Sequence, residues 1–359
     1  MLNHMLAAEH TQLPLNITHE LPLETYLAAR ASAGNVALDC ARMLSSTPEQ
    51  LVGDTDVAEH AAAELARSSI RQVIMLGRRG VLHAAFTIKE LRELSKRAGS
   101  TTTIGAPADA FSKAVLEAAS TDRARKRLVD LMKSLAGPPL DDPPAAPPPD
   151  EPCAIRLQFQ RTPLAFLPEG GVAATEPGAR LGAVLVGQTE LQGEPAADQR
   201  VALSQGDQYE LPCSLALRSV GYRSSPIAGA PFDTSRGVIP SEGSRVTEEA
   251  RAVGAAPLYV TGWLRRGPSG VILTNVNDAA ETAAAILQDR TAGLLDEGIA
   301  GGGGEAVREL LSQQPTAVVG FEAWQRIDEL ERHRGSAAGK VREKLIDIDE
   351  MLATATSAQ

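Results

Sequence analysis

Cysteine is scarce in this chain of 359 residues: there are three, Cys40, Cys153 and Cys213, odd in number and far apart. That spacing excludes a disulfide framework and a cysteine-based zinc site, and leaves buried thiols in a reducing compartment as the plain account. The six histidines, His4, His10, His19, His60, His83 and His333, show no metal-ligand spacing either. Aromatic residues are few, and no apolar run approaches the ~20 residues that span a bilayer. Positive charge is in deficit, with a formal net charge of −10, which argues against nucleic acid as a general partner. There is no Gly-x-Ser-x-Gly elbow and no His-Glu-x-x-His pair, so neither the serine-hydrolase nor the zinc-protease signature is present. The length allows two domains of ordinary size.

What is present centres on Gln72 to Leu94. Val73 to Leu76 is a short apolar run stopped by Gly77, the pattern of a buried strand in a parallel sheet. Arg78 and Arg79 follow at once. After Gly80 the period turns helical, with Ala84, Ile88 and Leu91 on one face and Lys89, Arg92 and Glu93 elsewhere. Two guanidinium groups therefore stand at the carboxyl end of a predicted strand, where open α/β sheets bind ligands. In a dinucleotide fold an acidic residue near this place selects the free ribose hydroxyl of NAD. Arginine selects the 2′-phosphate of NADP, whose oxygens match its planar fork. A solvated charged turn is the alternative reading.

Upstream, Gly34-Asn35-Val36-Ala37-Leu38-Asp39-Cys40 opens a helix with Val36, Cys40, Met43 and Leu44 on one face. A glycine at a helix start suits a phosphate, because free amides and the helix dipole point there. Residues 1–30 are weakly patterned, and Leu23 to Ala31 reads as helix rather than strand. One arginine, Arg30, against Glu9, Glu20 and Glu24 is not the composition of a mitochondrial presequence, so no transit peptide is read here. Nor do these residues hold a Gly-x-Gly-x-x-Gly loop for a flavin pyrophosphate.

Residues 56–68 predict a surface helix, with Asp54 or Thr55 as cap. The chain loosens through Ser100 to Gly105, and helices are expected over about 108–120 and 121–136. The second opens with Arg123, Arg125, Lys126 and Arg127, a basic patch in an acidic protein. Such runs are commonly solvated helix ends; the functional reading is a docking site for an acidic protein. Residues 137–152 form a proline-rich acidic linker. Beyond it come short β signals: Ile155, Leu157 and Phe159 alternate, followed by Pro163–Leu167, Leu181–Val186, Arg200–Ser204 and Cys213–Val220. They suggest a meander inserted on a nucleotide domain and ending in a strand that re-enters the main sheet.

A second site lies further on. Leu258–Thr261 predicts a strand, which gives way to the glycine-rich loop from Gly262 to Gly270 and then a helix from about Asn277 to Asp289. A helix amino terminus aimed at a ring can stabilise negative charge on a reduced flavin; a plain strand–loop–helix connection is the alternative. Gly301 to Gly304 reads as a flexible tract and Phe321 to Leu330 as helix.

Several of these stretches together resemble the adrenodoxin reductase family, the mitochondrial NADPH–ferredoxin reductases that carry FAD. They are Gly34-Asn35-Val36-Ala37-Leu38-Asp39, then Gly77-Arg78-Arg79-Gly80 with Ala85-Phe86-Thr87-Ile88-Lys89-Glu90-Leu91-Arg92-Glu93, then Gly221-Tyr222-Arg223-Ser224-Ser225-Pro226-Ile227. Trp263-Leu264-Arg265-Arg266-Gly267-Pro268-Ser269-Gly270-Val271-Ile272 and Gly339-Lys340-Val341-Arg342-Glu343-Lys344 complete the set. The resemblance runs from about Gly34 to Leu352. This chain has Ser32 where the family has the first glycine of its phosphate loop, and Val341 where the family has proline. The family's amino-terminal flavin segment has no counterpart.

The resemblance implies a division of labour. Ala33, Gly34, Asn35, Val36, Arg78, Arg79 and Glu90 match positions that contact NADP. Trp263, Gly270, Val271 and Ile272 match contacts to FAD, with the Gly270 backbone at the nicotinamide. Arg92, Arg123 and Arg127 match basic positions that dock an acidic, adrenodoxin-like [2Fe-2S] ferredoxin. No side-chain acid, base, nucleophile or metal is required. The implied setting is the mitochondrial matrix.

The expected fold is α/β with two Rossmann-like nucleotide-binding lobes. Residues 1–30 form a divergent segment, 31–226 a nearly complete NADP lobe with its linker and β insertion, and 227–359 the trailing, truncated part of an FAD lobe. The expected activity is FAD-dependent NADPH–ferredoxin oxidoreduction. The alternative is a non-catalytic remnant that binds NADP or ferredoxin but cannot hold FAD. A plain NADP dehydrogenase would need a substrate domain with an acid–base residue, and none is found.

Overall fold

Five parallel strands make the main sheet of the computed structural model: β1 (Thr25–Arg30), β2 (Gln72–Gly77), β3 (Ser100–Gly105), β4 (Cys153–Phe159) and β8 (Leu215–Ala216), in the order β3-β4-β2-β1-β8. The structure describes residues 25–30, 34–52, 55–137, 147–148, 150–171, 177, 179–195, 199–247, 257–270, 272–295, 303–313 and 317–357. The chain forms two compact units, Met1–Val220 with Val319–Gln359, and Gly221–Val318. The sequence reading put the break at 226/227 and the carboxyl-terminal tail in the second unit; the contacts put the tail with the first.

β2 lies between β1 and β4 and is buried along its whole length, which is why it reads as a continuous apolar run. Its side chains alternate between two cores. Val73 and Met75 join Ile155, Leu157 and Phe159 of β4 against three helices, α1 (Asn35–Leu44), α4 (Ile88–Ser95) and α6 (Arg123–Ser134). Ile74 and Leu76 point the other way, onto Val184, Val186 and Leu211. Those residues belong to an antiparallel meander, β5 (Arg161–Pro168), β6 (Leu181–Gln192) and β7 (Arg200–Pro212). One face of the sheet is thus covered by helices and the other by the meander.

Three expectations are corrected here. Leu23 to Ala31 was expected to be helical, yet Thr25–Arg30 is strand β1, paired with β2 from Thr25↔Gln72 to Arg30↔Gly77 and with β8. Its alanines favour helix intrinsically, but pairing on both edges within a sheet outweighs a propensity of a few tenths of a kcal/mol per residue. Ser100 to Gly105 was read as loose and is strand β3; it lies at the sheet edge and is half exposed, so it carries threonines rather than an apolar run. Ile155, Leu157 and Phe159 belong to the parallel sheet rather than the meander, and β4 is buried on both faces. Within the proline-rich linker, residues 138–146 and 149 lie outside the described residues, as do residues 1–24 and the first two glycines of the 301–304 tract.

Between α1 and β2 run two short helices, α2 (Pro48–Val52) and α3 (Glu59–Ala66), with α5 (Lys113–Ser120) later preceding α6. Leu51, Val57, Ala61 and Ala62 form a small core there. Thr55 does not cap α3: its hydroxyl donates to the Leu51 carbonyl, and Asp54 lies outside the described residues. The Glu59 amide donates instead to Glu343 Oε1 at 2.9 Å. This contact belongs to a strap, Gly339–Leu345, that joins α10 (Phe321–Ala337) to α11 (Ile348–Thr356). Buried Lys340 donates to the Val57 carbonyl at 2.7 Å and pairs with Glu343, and Lys344 reaches Asp56 at 2.7 Å. Arg342 pairs with Glu331 and Asp328. The tail is therefore bound to the rest of the first unit by charge-assisted bonds.

In the second unit a β9–β10 hairpin (Ser241–Glu242 and Arg245–Val246) precedes α7 (Trp263–Arg266), α8 (Thr274–Thr291) and α9 (Gly303–Ser312). The core is small: Ile239, Val246 and Val260 with Phe232 and Leu264. The strand expected over Leu258–Thr261 is a single bridge, Arg245↔Tyr259. Ion pairs add to this small core: Asp289 accepts from Arg245 at 2.8 Å and from the Tyr259 hydroxyl at 2.7 Å.

Candidate nucleotide-binding site

The site begins where β2 ends. Arg78 is exposed and Arg79 half-buried, and neither guanidinium has a hydrogen-bond or ion-pair partner among the described residues. Their backbone, in contrast, is clamped. The Thr189 hydroxyl donates to the Arg78 carbonyl at 2.6 Å, and the Gln160 amide donates to the Arg79 carbonyl at 3.2 Å. Gln160 in turn accepts from the Thr189 amide at 3.0 Å and from the Arg161 guanidinium at 3.1 Å. Gln160 has φ 56°, a strained value for a residue with a side chain, and these bonds hold it there. Gly80 closes the turn: a Cβ there would meet Leu191 Cδ1 at 2.7 Å, so a larger residue would have to displace that side chain. The meander thus fixes the main chain of the two arginines while their side chains stay free.

Across the strand ends, Gly34 takes an extended conformation (φ −142°, ψ 173°) and starts α1, its carbonyl accepting from the Ala37 and Leu38 amides. The amides of Asn35 and Val36 belong to the first turn, which has no intrahelical acceptor for them. Gly34 bridges Ala85, and the Asn35 side chain accepts from the Thr87 amide at 2.9 Å. Thr87 caps α4 by accepting from the Glu90 amide at 3.3 Å. Two helix amino termini are therefore tied side by side, and both favour an anion. The Asn35 side chain is committed to this bracing, so its contribution to a ligand is its backbone amide. Glu90 is half-buried in the first turn of α4 and its carboxylate has no partner among the described residues. Ala33 lies outside the described residues.

The basic residues at 92, 123 and 127 are all exposed and make no ion pair among the described residues. Their neighbours are occupied: Arg125 donates to the Ala84 carbonyl at 2.6 Å, and Lys126 pairs with Asp130 at 2.7 Å. Asp122 caps α6 by accepting from the Ala124 amide.

Trp263, Gly270 and Ile272 belong to the other unit, and Val271 lies outside the described residues. Trp263 is 45% exposed and stacks on Tyr222 with ring centroids 5.6 Å apart. Gly270 must be glycine on two counts: its φ is 86°, and a Cβ would meet Thr274 Oγ1 at 2.7 Å. Ile272 is 89% exposed at the start of α8, followed by exposed Leu273 and Val276. The loop is pinned to α8 by Asp278, which accepts from Arg265 and from Arg266, each at 2.6 Å. Those bonds, Arg266 first, hold the buried Asp278 carboxyl below its ordinary range.

Sequence reasoning passed over Thr189, Gln160 and Asp278, and read Arg125 only as one of the basic patch. Thr189 and Gln160 act through contacts that no local pattern announces. Asp278 carried a usable signal: an acidic residue inside an alanine-rich helix, shortly after two arginines. Among the described residues no cluster could hold a metal ion, and no helix is long and apolar enough to cross a membrane.

No protein-family model matches the chain. The mitochondrial NADPH:adrenodoxin oxidoreductase of Homo sapiens is 38% identical over 341 residues, 95% of this chain and 66% of its own length. The probable ferredoxin/ferredoxin–NADP reductase of Mycobacterium bovis is 32% identical over 354 residues, 98% of this chain and 54% of its own length. This chain therefore spans between about half and two thirds of these curated relatives. A structure of Mycobacterium tuberculosis FprA in complex with NADPH matches with a TM-score of 0.74 at 30% identity, covering 94% of this chain and 69% of that one. The shared motifs, the parallel sheet and these matches show that the chain belongs to the adrenodoxin reductase family of ferredoxin–NADP reductases.

Proposed function

We propose that this chain carries the NADP-binding half, and part of the flavin-binding half, of an NADPH–ferredoxin oxidoreductase. The observation that carries the reading is the pair of guanidinium groups at Arg78 and Arg79, without acidic partners among the described residues, on a main chain clamped at both carbonyls. A donor set with no acceptor in an acidic protein suits a 2′-phosphate. The Asn35 and Val36 amides, at the positive end of α1, would take the pyrophosphate. Ala33 would belong to the same phosphate loop, and Glu90 would accept from a sugar hydroxyl. Trp263, Gly270, Val271 and Ile272 would line one side of a flavin ring. The half-exposed Trp263 ring and the loop held by Asp278 fit a flat apolar group. Bound NADPH and FAD would supply hydride and single-electron transfer, and the protein the placement and electrostatics.

The acceptor is proposed to be an acidic [2Fe-2S] ferredoxin docked on Arg92, Arg123 and Arg127, whose exposed, unpaired charges would steer it. A mitochondrial matrix setting is the finer reading, supported by the human relative; the mycobacterial one comes from a cell without that compartment. A second reading has one observation in its favour. The start of α8 leaves Ile272 at 89% and Leu273 at 71% exposure, an open apolar surface next to the proposed flavin contacts. A chain that binds NADP and ferredoxin without retaining FAD would have that feature.

One experiment separates the two: incubation of the 359-residue chain with FAD, desalting and a visible spectrum. Retained flavin absorption near ~450 nm supports the reductase. A colourless protein that still binds 2′,5′-ADP supports the second reading, and loss of both overturns the proposal. The clamp has its own test. Thr189→Val should leave the Arg78 carbonyl unpaired and weaken 2′,5′-ADP by roughly three- to tenfold, the worth of one hydrogen bond. Titration calorimetry checks this, with circular dichroism to show the fold is kept.

A further inference from the structure

We propose that Arg125 is a positioning residue for the nucleotide site, setting the phosphate-binding amides from the far side of the segment 84–87. The proposal rests on the nucleotide reading above. Arg125 stands among the basic residues of α6, but its geometry differs from theirs. Arg123 and Arg127 are exposed and make no ion pair among the described residues, whereas Arg125 is half-buried and donates to the Ala84 carbonyl at 2.6 Å. That carbonyl begins the segment whose next residues brace the phosphate loop: Ala85 bridges Gly34, and the Thr87 amide donates to the Asn35 side chain at 2.9 Å. Arg125 makes no ion pair among the described residues, so its charge is spent on one carbonyl.

The chain of contacts is short and entirely polar: α6, Arg125, Ala84–Thr87, Gly34–Asn35. Charge-assisted bonds are shorter and stronger than neutral ones and fix their acceptors accordingly. Loss of the Arg125 bond leaves the Ala84 carbonyl without its charged donor, and residues 84–87 are then held by the α1 contacts and by Ala84 and Phe86 in the core. The Gly34–Asn35 amides then lose the fixed spacing that a pyrophosphate requires. Phe86 anchors the segment by packing, but packing is non-directional and does not orient the Ala84 carbonyl as a charged donor does.

The test uses the whole chain and 2′,5′-ADP and inorganic pyrophosphate as probes, with four single variants and one double variant. Arg125→Ala should weaken both probes by about tenfold, the effect of one charge-assisted hydrogen bond. Arg125→Lys, which keeps a donor, should recover most of it. Lys126→Ala removes the same charge one residue away without touching Ala84, and should change either affinity by no more than about twofold in ~0.15 M salt, where exposed charges are screened. In Asn35→Ala the Arg125→Ala substitution should have little further effect, since both act through segment 84–87. Equal losses in Arg125→Ala and Lys126→Ala would make the effect one of net charge and overturn the inference. So would a lowered melting temperature with unchanged affinities. A wild-type chain that binds neither probe would overturn the nucleotide reading itself.

Discussion

Replacing both Arg78 and Arg79 with alanine should weaken binding of 2′,5′-ADP by about a hundredfold and leave 5′-AMP within about twofold. The size follows from the site. A hydrogen bond to a charged group contributes ~1.5–3 kcal/mol, and Arg78 is exposed, so the lower end applies to each side chain. Two such losses make ~3 kcal/mol, or about a hundredfold in affinity. Selectivity is the diagnostic quantity, because 5′-AMP lacks only the phosphate that the arginines are proposed to hold. Lysine at both positions should restore charge but not the planar fork, and recover about tenfold at most. Titration calorimetry at two salt concentrations checks the result. An equal loss for both ligands would show that the pair contributes general positive potential and does not read the 2′-phosphate.

The second large effect is expected in the other unit. Asp278→Ala removes the one carboxylate that accepts from both Arg265 and Arg266, leaving two largely covered guanidinium groups of like charge side by side, Arg265 with Glu281 and Arg266 with Asn275. The loop 262–270, which includes three glycines at positive φ, then loses its buried tether and keeps only the outer contacts to Glu281 and Asn275. Hydrogen exchange of its amides should speed up by at least about tenfold, while amides of β2 and β4 stay protected. Asp289→Ala removes a different pair, with Arg245 and Tyr259, and should loosen the β9–β10 hairpin rather than the loop. Unchanged exchange at 262–270 would assign the loop's order to its own backbone. Acid should reproduce the Asp278 effect with a defined sign. The folded carboxyl is held below the ordinary value of 3.8, so its contribution is complete above that pH. It is lost as the pH falls through the depressed folded value, and the loop should remain tethered through mild acid.

Both sites were partly readable beforehand, for different physical reasons. Val73–Leu76 announces a strand because a position covered on both faces must be apolar at every residue. Arg78–Arg79 marks a candidate anion site because two adjacent charges at a strand end repel and are relieved by an anion, with a solvated turn as the alternative. Gly262 to Ile272 was recognisable because a loop with three positive-φ glycines tolerates few sequences. β1 and β3 were not legible. β1 is an alanine-containing stretch whose strand state comes from its two neighbours, and β3 lies at an edge where threonine is as good as valine.

The sequence by itself determined the parallel α/β character of the first unit, the carboxyl-end placement of the two arginines, the basic start of α6 and the glycine-rich loop before α8. Each is a local matter, set by periodicity, charge or backbone freedom within about ten residues. Tertiary structure alone decided what holds those groups in place. Thr189 reaches Arg78 across 111 residues, Asn35 reaches Thr87 across 52, and Lys340 reaches Val57 across 283. Hydrogen bonds of that span leave no periodic trace, because each requires only one donor and one acceptor brought together by the packing of everything between them.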